Sequence, residues 1–334
     1  MKTKVVYIER KRAESVSLEK VFRQIAKSLS KTKFETSFRQ LPYFNRVSGI
    51  IKNFIHFQKP TADIYHITGD IHYIALILPS EKTVLTIHDL RFLHSRRGLR
   101  SFALKKLFLD LPVKRLKYIT AISEATKNEI IENTKCAAEK IRLIENPLRD
   151  DFSAETEREF NSQCPNILQI GTAPNKNVIN LVKALENIKC RVKIIGRVET
   201  DLMEELNRRQ IDFEQNCNLT DAEIKDEYAK ADIVAFCSIY EGFGLPVIEA
   251  QAMRTAVITS NISPLKEVSG GAAMLVNPSN VSEIRAGIVR LINDKIYREN
   301  LLEKGIENAK RFKPEAIAGL YENLYREILV AEKK

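Results

Sequence analysis

The stretch Cys237-Ser-Ile-Tyr-Glu241-Gly-Phe-Gly244-Leu-Pro-Val-Ile-Glu249 sets two carboxylates around two glycines, in a chain with only 12 glycines among 334 residues. The apolar run Asp232–Cys237 before it reads as a buried strand, and the sequence from Pro246 onward reads as a helix, proline being suited to a first helical position. A strand that ends in Gly242-Phe243-Gly244 lets backbone come close to a ligand. The helix behind it turns free N–H groups and about half a positive charge toward the same turn, which suits a phosphate. Glu249 is expected in the first helical turn, where a carboxylate can accept hydrogen bonds from a diol such as a ribose. Glu241, before the turn, could accept from sugar hydroxyls. A tight strand–helix turn with a helix-capping acid would have the same spacing, and the residues alone leave both readings open.

Other chemistry-bearing residues fall at strand ends. Lys176 lies in Pro-Asn-Lys-Asn after an apolar strand, where a lysine is often simply solvated. His88 ends the run Val84–Ile87; a buried histidine bonded to Asp89 or to backbone would be ordinary there, but strand ends are where parallel sheets bind ligands. Gly171 and Gly196 each follow a strand. The sequence holds no Asp-x-Asp pair, so a metal held by paired carboxylates is not expected. A cofactor is not expected either.

The elements that must position these residues alternate along the chain. Lys4–Ile8, Ile64–Thr68, Thr83–Ile87, Tyr118–Ile122 and Ile141–Glu145 read as strands, with helices over Leu18–Leu29, Ile71–Leu78 and Glu124–Asn133. The polar residues 149–163 read as a connection. A second series follows, with strands at Asn166–Ile170, Val192–Ile195, Asp232–Cys237, Ala256–Ser260 and Ala273–Val276. Its helices run over Val178–Ile188, Ala222–Ala231, 281–293 and 297–311, and a last one starts at Pro314. This rhythm predicts an α/β fold of two doubly wound Rossmann-like domains facing a central cleft.

Length favours two domains, and charge divides the same way. Residues 1–150 carry 29 Lys and Arg against 15 Asp and Glu; the remainder carries 24 against 28. The basic half could face anionic lipid, an acidic glycan or a phosphate. Nucleic acid is not expected, because no zinc-ligand spacing or RNP-type aromatic motif is present. No apolar run approaches the ~20 residues of a spanning helix, and the N-terminus lacks a secretory pattern. The five scattered cysteines argue against a disulfide framework and for a reducing cytosol.

Glu241-Gly-Phe-Gly-Leu-Pro-Val-Ile-Glu249 resembles the Glu-x(7)-Glu motif of family-4 retaining glycosyltransferases, which have the GT-B fold. "GTAPNKN" at 171–177 is similar to the family's glycine-to-lysine loop, and "SNISPLKEVSGGAAMLVNP" at 260–278 to the segment after the motif. "TIHDL" at 86–90 and "AISEATK" at 121–127 resemble acceptor-domain segments. The likeness covers most of 83–330 and is weak before that.

The resemblance implies an acceptor domain over 1–155, a donor-nucleotide domain over 160–312, and a C-terminal helix over 313–334 packing back on the N-terminal domain. It implies transfer of a hexosyl unit, with retention and without a metal, from a UDP- or GDP-linked sugar to a glycan or lipid-linked acceptor in cell-surface polysaccharide assembly. Donor contacts would come from Gly171, Thr172, Lys176, Gly196, Arg197, Glu241, Gly242, Phe243, Gly244, Leu245 and Glu249. Lys176 would neutralise the diphosphate, Glu249 would hold the ribose, and His88, Glu241 and Lys176 would form the catalytic set. Two departures stand out. Thr172 replaces the arginine that many members carry, which leaves Arg197 as the substitute cation, and "ERKRAESVS" at 9–17 lacks the glycines usual after the first strand. A non-catalytic paralogue and a sugar-nucleotide epimerase share the fold.

Residues 91–117 hold nine basic residues and one acid, interleaved with Leu99, Phe102, Leu104, Leu107, Phe108 and Leu111. An ordinary packed helix with a solvated basic face and a helix lying on an anionic membrane both fit this pattern. The second would place the protein in the cytoplasm at the inner face of the membrane.

Overall fold

Short runs of branched aliphatic residues such as Val-Val-Tyr-Ile and Ile-Val-Ala-Phe are fully buried here, as strands covered on both faces must be. The computed structural model describes residues 2–11, 17–29, 33–94, 99–154 and 158–332. The chain divides into two units, Met1–Pro147 with Pro314–Lys334, and Leu148–Lys313. Each holds a six-stranded sheet in which every pairing is parallel.

The first unit runs β1 (Thr3–Glu9), α1 (Ser17–Leu29), β2 (Phe34–Gln40), α2 (Val47–His56), β3 (Ile64–Ile67), β4 (Thr83–Ile87), α3 (Arg91–His94), α4 (Leu99–Lys105), α5 (Leu111–Arg115), β5 (Tyr118–Ala121), α6 (Glu124–Thr134) and β6 (Ile141–Leu143). Its sheet order is β2-β1-β3-β4-β5-β6. The second unit runs β7 (Asn166–Ile170), α7 (Val178–Ala184), β8 (Arg191–Ile195), α8 (Thr200–Arg208), β9 (Asp212–Asn216), α9 (Asp221–Lys230), β10 (Ile233–Phe236), α10 (Leu245–Ala252), β11 (Ala256–Ser260), α11 (Leu265–Val268), β12 (Met274–Val276), α12 (Val281–Asn293) and α13 (Lys295–Lys310). Its order is β12-β11-β10-β7-β8-β9. The strand order therefore reverses between β1 and β3 in one sheet and between β7 and β10 in the other. Open parallel sheets bind ligands outside the carboxyl ends of their strands at such a reversal.

The last helix, α14 (Pro314–Ala331), belongs to the first unit. Its apolar face buries Ile317, Leu324 and Ile328, and two tyrosines tie it to the sheet. Tyr325 Oη lies 2.6 Å from His66 Nδ1, His66 Nε2 lies 2.7 Å from Thr86 Oγ1, and Thr86 lies 2.6 Å from Thr120. Full burial lowers the His66 pKa to about 3, so the imidazole sits there neutral.

Two strands lie outside the sequence expectation, β2 and β9. Both are edge strands, and their sequences, FETSFRQ and DFEQN, are mostly exposed. An edge strand with one open flank has no need of a continuous apolar run. Helix α2 was also unmarked. The helix expected over Ile71–Leu78 is a single 3-10 turn, His72–Leu76. The basic segment 91–117 is broken into α3, α4, a π-helical turn at Lys106–Asp110 and α5, and 95–98 within it lie outside the described residues. The loop at 9–17 is described only at its two ends, where Arg10 bonds Glu19 at 2.9 Å and Asp70 at 3.4 Å. All five cysteines are free thiols. Among the described residues, no helix is long and apolar enough to cross a membrane.

Candidate active site

The loops that leave β7 and β10, on either side of the reversal in the second sheet, are bound to each other. Lys176 Nζ lies 2.6 Å from Glu241 Oε1 and sits over the Phe236 ring at 4.5 Å. Asn175 donates to Tyr240 O at 3.0 Å, and its own carbonyl accepts from Ile239 N at 2.8 Å. Asn177 adopts a left-handed conformation (φ 57°) and donates to Cys237 O at 3.0 Å and Pro278 O at 2.7 Å. Sequence reasoning passed over Asn175 and Asn177. Their signal was their residue type: asparagine tolerates the left-handed region and carries a donor that can reach a neighbouring carbonyl.

Glycines let the two loops fold this tightly. Gly171 has φ +81°, and a Cβ on it would lie 3.1 Å from Lys176 Cε. The lysine stem thus lies across the turn. At Gly244, φ is +120°, and a Cβ would meet Leu265 Cδ2 at 2.5 Å. Helix α10 begins one residue later, at Leu245, with Pro246 second. Its first turn holds no acid, which corrects the expected place of Glu249: it is the fifth helical residue, past the first turn.

Glu249 is 7% exposed and accepts a 2.6 Å hydrogen bond from Tyr228 Oη. Burial raises its pKa above the usual carboxylate value, against the opposing pull of the Tyr228 bond and Arg149. Thr172 lies close to Gly196, where a Cβ would come 3.0 Å from its Oγ1. Arg197 is turned outward, 82% exposed and 3.5 Å from Glu199, so this conformation does not put it in the place of the missing arginine at 172. Phe243 is 4% exposed and packs edge-on against Phe312. Its ring belongs to the core and leaves backbone for a ligand, as do Gly242 and Gly244, while Leu245 is half-buried beside them.

In the first unit, His88 follows β4. Its Nε2 lies 3.1 Å from Thr68 O, while Nδ1 has no partner among the described residues. The sequence did not mark His72, yet it has the mirrored arrangement: Nδ1 lies 2.7 Å from Phe108 O and Nε2 is unpartnered among the described residues. A carbonyl only accepts, so each ring carries its proton on the bonded nitrogen and presents a bare acceptor on the other. Burial holds both pKa values below the usual histidine value, against Asp70 and Asp89. Phe108 lies in the π-helical turn, a local irregularity found often at functional sites.

Among the described residues, no group of three or more His, Cys, Asp or Glu side chains is placed to hold a metal ion. A cavity at the amino ends of β10 and β11 is lined by Arg158, Asp232, Arg254 and Glu299. It lies at the wrong edge of the sheet for the motif, and its charges face each other in pairs.

Two six-stranded parallel sheets, each with one reversal of strand order, give the chain the GT-B architecture. A family model described as "Glycosyl transferases group 1" matches residues 153–311, and one described as "Glycosyltransferase Family 4" matches residues 8–152. Together they account for nearly all of the chain, which belongs to the family-4 type glycosyltransferases. It is similar to the O-antigen chain mannosyltransferase RfbU of Salmonella typhimurium, 30% identical over 229 residues, 65% of this chain and 63% of that one. The match thus spans a little under two thirds of that relative's length. It is also similar to the O-antigen chain mannosyltransferase B of Escherichia coli, 27% identical over 75% of this chain and 70% of that one. Among solved structures, a glycosyltransferase from Rickettsia africae superposes with a TM-score of 0.76 at 19% identity, covering 98% of this chain and 99% of that one. Anabaena HepE in complex with UDP and glucose does so at 0.76 and 14%, covering 97% and 100%. At these identities the structural likeness speaks for the fold.

Proposed function

We propose that the protein transfers a hexosyl unit, with retention and without a metal, from a nucleotide sugar to a glycan or lipid-linked acceptor in cell-surface polysaccharide assembly, on the cytoplasmic side of a membrane. The observation that carries this reading is the Lys176–Glu241 pair at the reversal between β7 and β10. A diphosphate arriving there meets a fixed cation and the positive end of α10, which acts through its dipole, since Pro246 has no N–H and Val247 N already donates to Gly244 O. Glu241 then exchanges an ammonium partner for sugar hydroxyls. Glu249 accepts from the ribose. Thr172, Gly196 and Arg197 border the same strand ends. The leaving phosphate takes the acceptor's proton as the new bond forms on the face it departs from. The names of the two relatives favour mannose, so GDP-mannose leads the candidates and UDP-hexoses follow.

Thermal shift across a panel of nucleotide sugars tests the reading. A donor at 100 times its dissociation constant adds ~2.7 kcal/mol to stability, a shift readily seen, and nucleoside diphosphate release should then depend on a glycan acceptor. If no nucleotide sugar raises Tm, the reading fails; release without an acceptor would favour an epimerase.

The imidazoles supply a further expected result. In this reading, the bare nitrogen of His88 accepts from a sugar hydroxyl, and His72 supports it. His88→Gln keeps a donor for Thr68 O, and His72→Asn keeps one for Phe108 O, yet each moves the acceptor from the place of the bare ring nitrogen to an amide oxygen in a different position. A buried hydroxyl left without its acceptor forfeits ~1–3 kcal/mol, so kcat/KM is expected to fall roughly 5–150-fold while Tm stays near wild type. Unchanged kinetics in His88→Gln would remove His88 from the site.

A further inference from the structure

Helix α2 exposes an apolar stripe. Val47 is 78% exposed, Ile51 57% and Ile55 70%. Spaced by four, they stand in line on one helical face. Phe44, 47% exposed just before the helix, extends the line. The opposite face, Gly49, Ile50 and Asn53, is buried. Single exposed aliphatics are ordinary, but four apolar side chains in a row form a patch of the kind that marks an interaction surface.

Charge names the partner. Residues 36–62 carry Arg39, Arg46, Lys52 and Lys59 and no acid. Arg46, Lys52 and Lys59 are exposed. Lys11 stacks on the Phe44 ring at 4.9 Å and Lys52 on Tyr43 at 5.5 Å, so cations sit directly beside the apolar row. A second copy of the chain would bring this basic patch against another of the same sign, an unfavourable pairing. An anionic bilayer meets both features, taking aliphatic side chains at the acyl boundary and cations at the headgroups.

We propose that α2, with Phe44, seats the protein on an anionic lipid surface. Among the described side chains the α4 region contributes less: Phe102 is 62% exposed, while Phe108 and Leu109 turn into the core. This surface stands apart from the transfer reaction, since its test needs no nucleotide sugar.

The test is cosedimentation of the full chain with vesicles of phosphatidylcholine alone, or of equal parts phosphatidylcholine and phosphatidylglycerol. Wild type is expected to bind only the second, and less so as salt rises. Ile51→Glu should lower partitioning at least about ten-fold, because it loses an aliphatic contact and adds a repelled charge, with unchanged Tm because the position is open to solvent. Paired Arg46→Gln and Lys52→Gln should reduce the preference for phosphatidylglycerol. Three results would overturn the proposal: no vesicle binding by wild type; wild-type binding by Ile51→Glu with loss in Phe102→Glu; or a wild-type dimer that Ile51→Glu dissolves while neither protein binds vesicles.

Discussion

Replacing Lys176 with alanine is expected to lower kcat by roughly 10²–10³-fold, the loss typical when one preorganised group that stabilises developing charge is removed. In the proposed reaction, negative charge accumulates on the leaving diphosphate, and Lys176 is the cation fixed at the reversal between β7 and β10. Its position is set by more than one contact: the stem crosses Gly171, and the ammonium lies between the Phe236 ring and Glu241. The substitution also leaves the Glu241 carboxylate without its 2.6 Å partner, close to where phosphate oxygens would arrive. Lys176→Ala should therefore do more harm beside the native carboxylate than in a Glu241→Gln background, where the neighbour is neutral. A double-mutant cycle of the two substitutions should show their losses falling well short of additive. Steady-state kinetics with the donor found by thermal shift make the measurement. Wild-type kcat in Lys176→Ala would mean that the diphosphate is stabilised elsewhere.

Much of the geometry of this candidate site is legible in the sequence, and the reason is chemical. The strands that carry it are central, so they are continuous apolar runs. The turns that shape it need Gly171 and Gly244 at positive φ. Both features leave marks in residue type. What stayed hidden depends on contacts distant in sequence. Nothing in the local sequence of His72 says that a carbonyl 36 residues away will fix its tautomer. Phe243 looks like part of the motif, yet it packs against Phe312, a partner no spacing rule supplies. Strands β2 and β9 lacked an apolar signature because each has an open flank. The basic segment 91–117 stands out by composition, whereas the longer exposed apolar row lies on α2. Exposure is a property of packing, and charge density along the chain does not report it.

Glu249→Gln is expected to weaken donor binding by roughly 10–150-fold while raising the stability of the free protein at neutral pH. The first effect follows from losing a charged acceptor for the ribose diol, since hydrogen bonds to charged groups contribute ~1.5–3 kcal/mol. The second follows from the raised pKa. Burial disfavours the ionised carboxylate more than Tyr228 and Arg149 compensate, while Asp151 and Asp221 add to the penalty. A carboxyl whose folded pKa lies above its unfolded value binds more protons in the native state. Its contribution to stability is therefore complete below the unfolded pKa, about 4.3 for glutamate, and is lost as pH rises through the folded one. Glutamine carries no such penalty and can still accept from Tyr228 Oη. The Tm advantage of the variant should thus be largest at neutral pH and close as the solution is acidified toward the unfolded value. Opposite signs in stability and binding separate a functional carboxylate from a packing residue, which would have no reason to be better replaced. A variant that is less stable at neutral pH and binds donor normally would make Glu249 a structural partner of Tyr228, and the ribose would need another acceptor.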